Sequence, residues 1–309
     1  MKISELILEA RNKPKLVVMA GGGGAGKSYL LNQLDLGSLH QVNPDKYVED
    51  PSHPAYNKLN PGVAAANKEA EALADDKTSF VWDTTASNPA KIKLFLEKGY
   101  DVYMVMVYTH PVIAYISNAK RARRIPSSAV FKTWRNVYNL IDDYNKMLKG
   151  NLSIFVNTRA GEFDKYIEEF NTAAKNGAAG ISDYLENLND KLGLESGSTF
   201  RDPYQMSKQE EQEFYNAVKN IDYDTTDYSE DRALKKYFTD WYRKNGAGPG
   251  DDKMNKKLAS HRKAKAKAAE TNKQVLDNIG ELLFSPVFQS KLEHSTVPEI
   301  DKKVQNFLA

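Results

Sequence analysis

One run of eight residues near the N-terminus constrains the fold of this chain more than any other feature. Residues 21–28 read Gly-Gly-Gly-Gly-Ala-Gly-Lys-Ser and match the pattern G-x-x-x-x-G-K-[ST] at every position. In such a loop the backbone N–H groups point at phosphate oxygens, the lysine charge reaches the β- and γ-phosphates, and the hydroxyl reaches magnesium. The pattern therefore predicts a nucleoside triphosphate site at residues 21–28, to which we add Tyr29 as the next residue of the chain.

The segments on either side of this loop favour a phosphate site over the alternative, a flexible glycine run. The apolar residues 15–20 before the loop predict a buried strand. Residues 28–34 after the loop predict a helix that Gly37 stops. A strand that enters the loop and a helix that leaves it are the setting in which this pattern binds phosphate.

Further apolar segments alternate with helical segments as far as about residue 175. Strands are expected at 39–42, 79–83, 102–108 and 152–156, with a loop over 50–61. Helices are expected over 62–76, from Pro89 to Lys98, from Pro111 to Arg121, and as one long amphipathic helix up to Leu148. This alternation predicts an α/β fold, a parallel sheet with helices on both faces.

The strand pattern stops beyond residue 175, and we predict a mainly helical C-terminal region. The expected domains are residues 1–175, a nucleotide-binding domain, and residues 176–309, an accessory region without assigned chemistry. Linkers are expected at 176–180 and 195–198, and a loop at 247–252. The clearest apolar stripe of this region consists of Val275, Leu276, Ile279, Leu282 and Leu283.

Composition excludes several classes of protein. The chain has no cysteine, which excludes a disulfide scaffold, zinc–thiolate sites and cysteine catalysis, and fits a cytoplasmic protein. Residues 1–10 contain two glutamates and predict a short amphipathic helix instead of a secretion signal. The most apolar run, 102–108, is far shorter than the roughly 20 residues that cross a bilayer, so no membrane span is expected.

Polar residues that follow the predicted strands are the candidates for chemistry, because ligands of open α/β sheets bind beyond the carboxyl ends of the strands. Asp45 follows the second strand and is our candidate to accept a proton from an acceptor hydroxyl. Asp83 ends the third strand and is expected either to hold Mg²⁺ through a bound water, with Ser28 as the other metal residue, or to orient the acceptor, so it also belongs to the expected catalytic residues. Together with Lys27, the arginines 121 and 124 complete the expected catalytic set, and Arg123 joins the residues expected to bind ATP.

Each of these candidates also has a structural interpretation. Asn43-Pro44-Asp45 is an ordinary turn sequence, and Asp83 is placed to cap the backbone of Thr84 and Thr85. The arginines after residue 120 fit a solvated basic surface as well as a clamp on phosphates. Thr84 stands where motor ATPases carry a glutamate that activates water, which favours transfer to a bound acceptor over rapid hydrolysis.

The order of these motifs resembles that of the zeta-toxin-like P-loop kinases and is similar to that of polynucleotide kinases. The resemblance covers roughly residues 14–160 and implies a P-loop kinase-type parallel sheet. It also implies an ATP-dependent phosphotransferase with Asp45 as the base and the arginine turn as a lid. Toxin members phosphorylate an amino-sugar nucleotide, and the polynucleotide branch phosphorylates a 5′-hydroxyl end. This chain has Gly22-Gly23 where many relatives carry a proline, and it has no arginine three residues after Asp45, so the acceptor stays open.

Two hypotheses follow from the sequence. The first is a kinase that moves the γ-phosphate of ATP to a hydroxyl of a small nucleotide-like molecule or of a 5′-hydroxyl nucleic acid. The second is a nucleotide-binding or hydrolysing module of a larger assembly, with the C-terminal region as the surface for a protein partner. The basic run 253–269 has seven lysines and arginines and no acidic residue, which fits either an anion-binding surface or a solvated helix.

Overall fold

The computed structural model describes residues 13–56, 59–159, 161–194, 252–292 and 294–309, and for 252–266 only the backbone. The helix expected at residues 1–10 and the linker expected at 195–198 lie outside the described residues. So does the loop expected at 247–252, except for its last residue, which begins a helix.

The expected α/β sheet is present as five parallel strands in the order β2-β3-β1-β4-β5. Alternate residues of the central strand β1 enter two core clusters, because successive side chains of a strand point to opposite faces. Leu16 and Val18 belong to the cluster on one face, and Val17 and Met19 to the cluster on the other. The strands are β1 (Lys15–Ala20), β2 (His40–Val42), β3 (Phe80–Asp83), β4 (Asp101–Tyr108) and β5 (Leu152–Val156).

Helices cover both faces of this sheet. In the described part of the chain they are α1 (Lys27–Leu31), α2 (Pro44–Glu49), α3 (Leu59–Asp75), α4 (Pro89–Glu97), α5 (Pro111–Ala119), α6 (Ser127–Tyr138), α7 (Ile141–Leu148), α8 (Asp164–Ala174), α9 (Gly177–Leu192), α10 (Asp252–Phe284), α11 (Pro286–Ser290) and α12 (Val297–Leu308). None of the helices among the described residues is long and apolar enough to span a membrane.

One helix was not predicted, and two local expectations were wrong. Residues 44–49 form helix α2, with Asn43 as its cap: the Asn43 side chain accepts a hydrogen bond of 2.8 Å from Asp45 N. The long helix that was expected up to Leu148 is two helices, because Leu140 N bonds Val137 O and so tightens the backbone at the junction. Residues 177–180 begin helix α9 instead of forming a linker.

The end of α10 and helices α11 and α12 belong to the same compact unit as the sheet, which comprises residues 1–201 and 273–309. Val275, Ile279 and Leu283 of α10 are buried in one core cluster, which confirms the predicted apolar stripe. Ile300 and Val304 of α12 are buried in the other cluster, beside α1. The unit therefore contains residues on both sides of the boundary that we expected at 175, and residues 202–272 form a second unit.

Candidate functional site

A cleft of about 430 Å³ lies at the carboxyl edge of the sheet and brings together most of the residues singled out by sequence. Of the predicted site residues it is lined by Gly23, Gly24, Ala25, Gly26, Lys27, Ser28, Tyr29, Asp45, Asp83, Arg121 and Arg123. The carboxyl ends of β1, β2 and β3 meet at this edge, so segments that are far apart in sequence become neighbours. Arg124 is not among the described lining residues.

The glycine-rich loop turns tightly between β1 and α1. Gly24 has a φ of +78°, and a Cβ there would lie 2.3 Å from the carbonyl oxygen of Ala114 on α5. Only a glycine satisfies both the positive φ and this close approach. The far side of the loop is held by Asn157, whose Nδ2 donates to Ala25 O at 2.9 Å. Strand β1, helix α5 and the end of β5 thus hold the loop in its shape.

Lys27 lies over the loop that it follows. Its Nζ donates to the carbonyl oxygens of Gly21 at 3.1 Å and Gly22 at 3.4 Å, and lies 3.9 Å from Oδ1 of Asp83. These partners keep the ammonium group at the mouth of the loop, where a phosphate oxygen would bind. Gly21 and Gly22 therefore contribute to the site through their carbonyl groups as well as through their place in the loop.

Asp83 is the most buried acidic residue of the cleft, with 7% of its surface exposed. Its Oδ2 accepts a hydrogen bond of 3.3 Å from Asn43 Nδ2, and its other oxygen, Oδ1, faces Lys27. Burial raises the pKa of Asp83 above the ordinary value; the charges of Lys27 and Arg121 oppose this shift and that of Asp45 adds to it. The carboxylate is therefore kept in a site that favours a cation beside it.

Asp45 lies in the first turn of α2 and faces the arginine turn across the cleft. Its carboxylate oxygens lie 3.6 Å from Arg121 Nη2 and 3.8 Å from Arg123 Nη1. Arg123 also pairs through Nη2 with Glu49 at the other end of α2. The two arginines and the carboxylate thus share one end of the cleft, where positive charge and a proton acceptor are both available.

Helix α2 is held in place by Glu69 of α3. The Glu69 carboxylate accepts hydrogen bonds from Tyr47 OH at 2.7 Å, Lys46 Nζ at 3.1 Å and His40 Nε2 at 2.9 Å. Burial raises the pKa of Glu69, but the bonds from His40, Tyr47 and Lys46 outweigh it, and the net shift is downward. An ionised Glu69 therefore ties the helix that carries Asp45 to its neighbours.

The arginine turn is closed at its base by Asn118. This residue, 4% exposed, donates from Nδ2 to Ile125 O at 2.9 Å and accepts at Oδ1 from Ile125 N at 3.1 Å. The two bonds join the end of α5 to the residue just past the arginines. Because both ends of the turn are tied, its base is fixed beside the cleft.

Several lining residues were missed by sequence reasoning. They are Asn43, Ser117, Thr85 and Arg159. Arg159 is the first basic residue after β5. The rule that ligands bind beyond the carboxyl ends of strands, applied to β5, would have identified it. Asn43 was noted only as part of the Asn-x-Asp motif and of a turn sequence, without a role in the site. Ser117 carried no sequence signal, because a single serine inside a helix has no distinctive pattern.

The residues of the cleft fit a magnesium ion bound to phosphate. Ser28 and Asp83 both line it and supply a hydroxyl and a carboxylate, the oxygen ligands that Mg²⁺ prefers. Among the described residues there is no group of three or more His, Asp or Glu side chains that could hold a metal ion. Ser28 and Asp83 are thus the residues that would hold the ion, with phosphate oxygens and water as the remaining ligands.

A larger cavity, about 700 Å³, lies near the ends of β4 and β5. None of its described lining residues is Asp, Glu, Lys or Arg. One of them, His110, is kept neutral because burial lowers its pKa to about 4. The smaller cleft, which has the phosphate loop and the charged groups, is therefore the candidate site for phosphate chemistry.

Comparison with protein families gives a match over the N-terminal part of the chain. The family model "Zeta toxin" matches residues 2–139. This confirms the resemblance inferred from the order of the motifs. No curated protein matches the chain.

Several solved structures are similar to this chain. The AvrRxo1-ORF1:AvrRxo1-ORF2 structure with sulphate ions shares 15% identity over 50% of this chain and 62% of that chain, with a TM-score of 0.37. The PezAT toxin–antitoxin system of Streptococcus pneumoniae shares 18% identity over 62% and 98%, with a TM-score of 0.35. A gluconokinase from Sinorhizobium meliloti 1021 shares 17% identity over 58% and 98%, with a TM-score of 0.27. The chain thus spans less than two thirds of the first of these structures.

Proposed function

We propose that this chain is an ATP-dependent phosphotransferase that moves the γ-phosphate to a hydroxyl of a nucleotide-like or nucleic-acid acceptor. The observation that carries the proposal is the single cleft that contains a phosphate loop, a buried carboxylate beside Lys27, and Asp45 paired with two arginines. The match of residues 2–139 to the zeta-toxin family supports it. Phosphoryl transfer needs these parts: phosphate binding, positive charge on the migrating group, and a residue that orients or deprotonates the acceptor.

The residues take the following roles in this proposal. The loop amides and Lys27 bind the phosphates, and Ser28 and Asp83 would hold Mg²⁺, which would supply further positive charge to the triphosphate. The acceptor oxygen attacks the γ-phosphorus, the bond to the bridging oxygen of ADP breaks, and Asp45 takes the hydroxyl proton. Arg121 and Arg123, which lie beside Asp45, stabilise the charge on the transferred group. Arg124 keeps its proposed catalytic role only if the turn rearranges, because it does not line the cleft described here.

The acceptor is proposed to enter from the β2 side of the cleft. Pro44, Leu59 and Val63 line that side with apolar surface, and Thr85 adds a hydroxyl. Apolar walls with a few polar groups are typical of small-molecule sites. A nucleotide-like acceptor fits this mixture, with its reacting hydroxyl next to Asp45. A protein partner bound through residues 176–309, and a functional boundary at 175, also remain proposals.

The proposal is tested by transfer of labelled γ-phosphate from Mg-ATP. The acceptors to offer are amino-sugar nucleotides, nucleosides and 5′-hydroxyl oligonucleotides, with the Lys27→Ala variant as the blank. Label on one acceptor class, absent from the blank, is the expected result and names the substrate. ATP binding without transfer to any acceptor would favour the alternative of a nucleotide-binding module in a larger assembly.

The role of Asp83 predicts a pH dependence of nucleotide binding. An ionised carboxylate is needed to hold Mg²⁺, and the pKa of Asp83 is raised by burial. The affinity for Mg-ATP should therefore fall, as pH decreases, at a higher pH than an ordinary aspartate would give. Titration calorimetry on the wild type and on Asp83→Asn measures this. The nucleotide's own protonation affects both proteins equally. If the affinities of the wild type and of Asp83→Asn change in parallel with pH, Asp83 does not hold the metal ion.

A further inference from the structure

Two buried polar atoms in the described part of the chain have no hydrogen-bond partner, and both belong to residues that line the cleft. They are Oγ of Ser117, on α5, and Nη1 of Arg123, in the arginine turn. The guanidinium atom lies 3.8 Å from Asp45 Oδ1, which is beyond hydrogen-bond distance. Buried polar groups are nearly always satisfied in native proteins, so an unsatisfied pair at one site calls for an explanation.

A phosphate oxygen is a hydrogen-bond acceptor that would satisfy both of these atoms. A guanidinium N–H is always a donor and carries positive charge, and a serine hydroxyl donates readily to an anion. Guanidinium groups bind phosphate oxygens in strong, charge-assisted hydrogen bonds. Both residues line the cleft that contains the phosphate loop, so a phosphate group is the ligand expected beside these atoms.

Ser117 and Arg123 are close in the chain to the two residues whose hydrogen bonds close the arginine turn. Ser117 immediately precedes Asn118, and Arg123 lies two residues before Ile125, so the hydrogen bonds between Asn118 and Ile125 draw the two segments together. The same turn packs on the phosphate loop, because a Cβ on Gly23 would lie 2.8 Å from Cδ1 of Ile125. The base of the arginine turn thus lies against the phosphate loop, in the cleft that Ser117 and Arg123 line.

We propose that Ser117 Oγ and Arg123 Nη1 form a preformed binding position for one phosphate oxygen in the cleft. Ser117 thereby becomes a binding residue that neither its sequence context nor the family match indicates. This inference rests on the proposed phosphate chemistry of the cleft. The oxygen comes either from the terminal phosphate of the nucleoside triphosphate or from a phosphate carried by the acceptor.

The Ser117→Ala variant tests the proposal through two properties that should move in opposite directions. Without ligand, Tm should stay the same or rise, because the substitution removes an unsatisfied buried hydroxyl and alanine favours a helix. Phosphate binding should weaken by about tenfold or more, the usual effect of losing a hydrogen bond to a charged group. A serine with a structural role only would lower Tm and leave binding unchanged.

Two binding experiments distinguish the sources of the oxygen. In the first, calorimetry compares the Kd of ATP and of ADP for the wild type and Ser117→Ala; weakening of ATP alone identifies the terminal phosphate. In the second, inorganic phosphate is titrated into protein saturated with a non-hydrolysable ATP analogue; weaker binding in the variant identifies an acceptor phosphate. Arg123→Lys should weaken the binding of the same ligand, because this substitution removes the Nη1 donor but keeps the positive charge.

Ser128→Ala is the matched control, since Ser128 is exposed and is not a described residue of the cleft lining. If Ser117→Ala changes neither ATP nor phosphate binding relative to this control, the proposed position does not exist. A lower Tm for Ser117→Ala with unchanged affinities has the same meaning. All of these readouts are binding measurements, so a failure to find phosphoryl transfer leaves them interpretable and is a separate result.

Discussion

Replacing Asp45 with asparagine is expected to lower the rate of phosphoryl transfer by about 10² to 10⁴-fold, the range typical of a lost general base. Asparagine keeps the size of the side chain and cannot accept the proton of an acceptor hydroxyl. The cap of α2 should be preserved, because it uses the backbone N–H of residue 45 and the side chain of Asn43. The loss should therefore appear in kcat of a correctly folded protein.

The affinity of the Asp45→Asn variant for ATP should change by no more than about fivefold. The ion pairs of Asp45 with Arg121 and Arg123 involve side chains that are 26–46% exposed. Such pairs contribute about 1 kcal/mol or less. Their loss also frees the two guanidinium groups for phosphate, so a small change toward tighter binding is the expected direction.

The control for this experiment is Asp50→Asn, at the exposed C-terminal end of the same helix and outside the cleft lining. This variant changes one carboxylate to an amide without touching the arginine turn, and its transfer rate should match the wild type. Single-turnover transfer of labelled phosphate and calorimetry with ATP give the two quantities. Transfer by Asp45→Asn within threefold of the wild type, about 0.7 kcal/mol, would show that the residue is not the base.

The second large effect is expected for Gly24→Ala, which should strongly weaken the binding of ATP. The φ of +78° costs an L-residue about 1–2 kcal/mol, and the added Cβ would lie 2.3 Å from the carbonyl oxygen of Ala114. A backbone oxygen cannot move aside as a flexible side chain does, so the loop has to shift. The amides that would cradle the phosphates then lose their geometry, and we expect Kd to rise by about 10²-fold or more, about 2.7 kcal/mol.

Gly99→Ala separates the effect of the clash from that of the backbone angle. Gly99 has a φ of +86°, and nothing lies within 4 Å of the position of its Cβ. This variant should lose about 1–2 kcal/mol of stability and keep its ATP affinity. Thermal unfolding and calorimetry on both variants provide the comparison. Equal ATP affinities for Gly24→Ala and Gly99→Ala would mean that the loop binds nucleotide in another conformation.

The regular elements of the sheet could be predicted because they depend on short stretches of sequence. Parallel strands covered on both faces are continuous apolar runs, and β1, β3, β4 and β5 have that composition. The phosphate loop was recognisable because it needs glycines and a lysine at fixed spacing. The rule on the carboxyl ends of parallel strands then predicted that Asp45, Asp83 and the arginines converge, and Asp45, Asp83, Arg121 and Arg123 do so.

Two elements were missed because long-range contacts decide them. The sequence Asn43-Pro44-Asp45 is compatible with a turn and with the start of a helix, and the bonds from α2 to Glu69 on α3 favour the helix. The glycines at 177 and 180 are typical of a linker. In the structure, Gly180 lets α9 approach α8, since a Cβ there would lie 2.3 Å from Ala173 O.

By itself, the sequence determined the phosphate loop, the alternation of strands and helices, and the chemistry available at the strand ends. Each of these depends on residues within one turn or one strand of each other. The tertiary structure decided which side chains reach the cleft: Arg159 and Ser117 line it, and Arg124 does not. That selection depends on the closing of the arginine turn by Asn118 and on the packing of α5 against the loop. The approach of Gly24 to Ala114 joins residues that are far apart in the chain, and the bonds of Asn118 to Ile125 close the arginine turn over only seven residues; no short sequence motif records either contact.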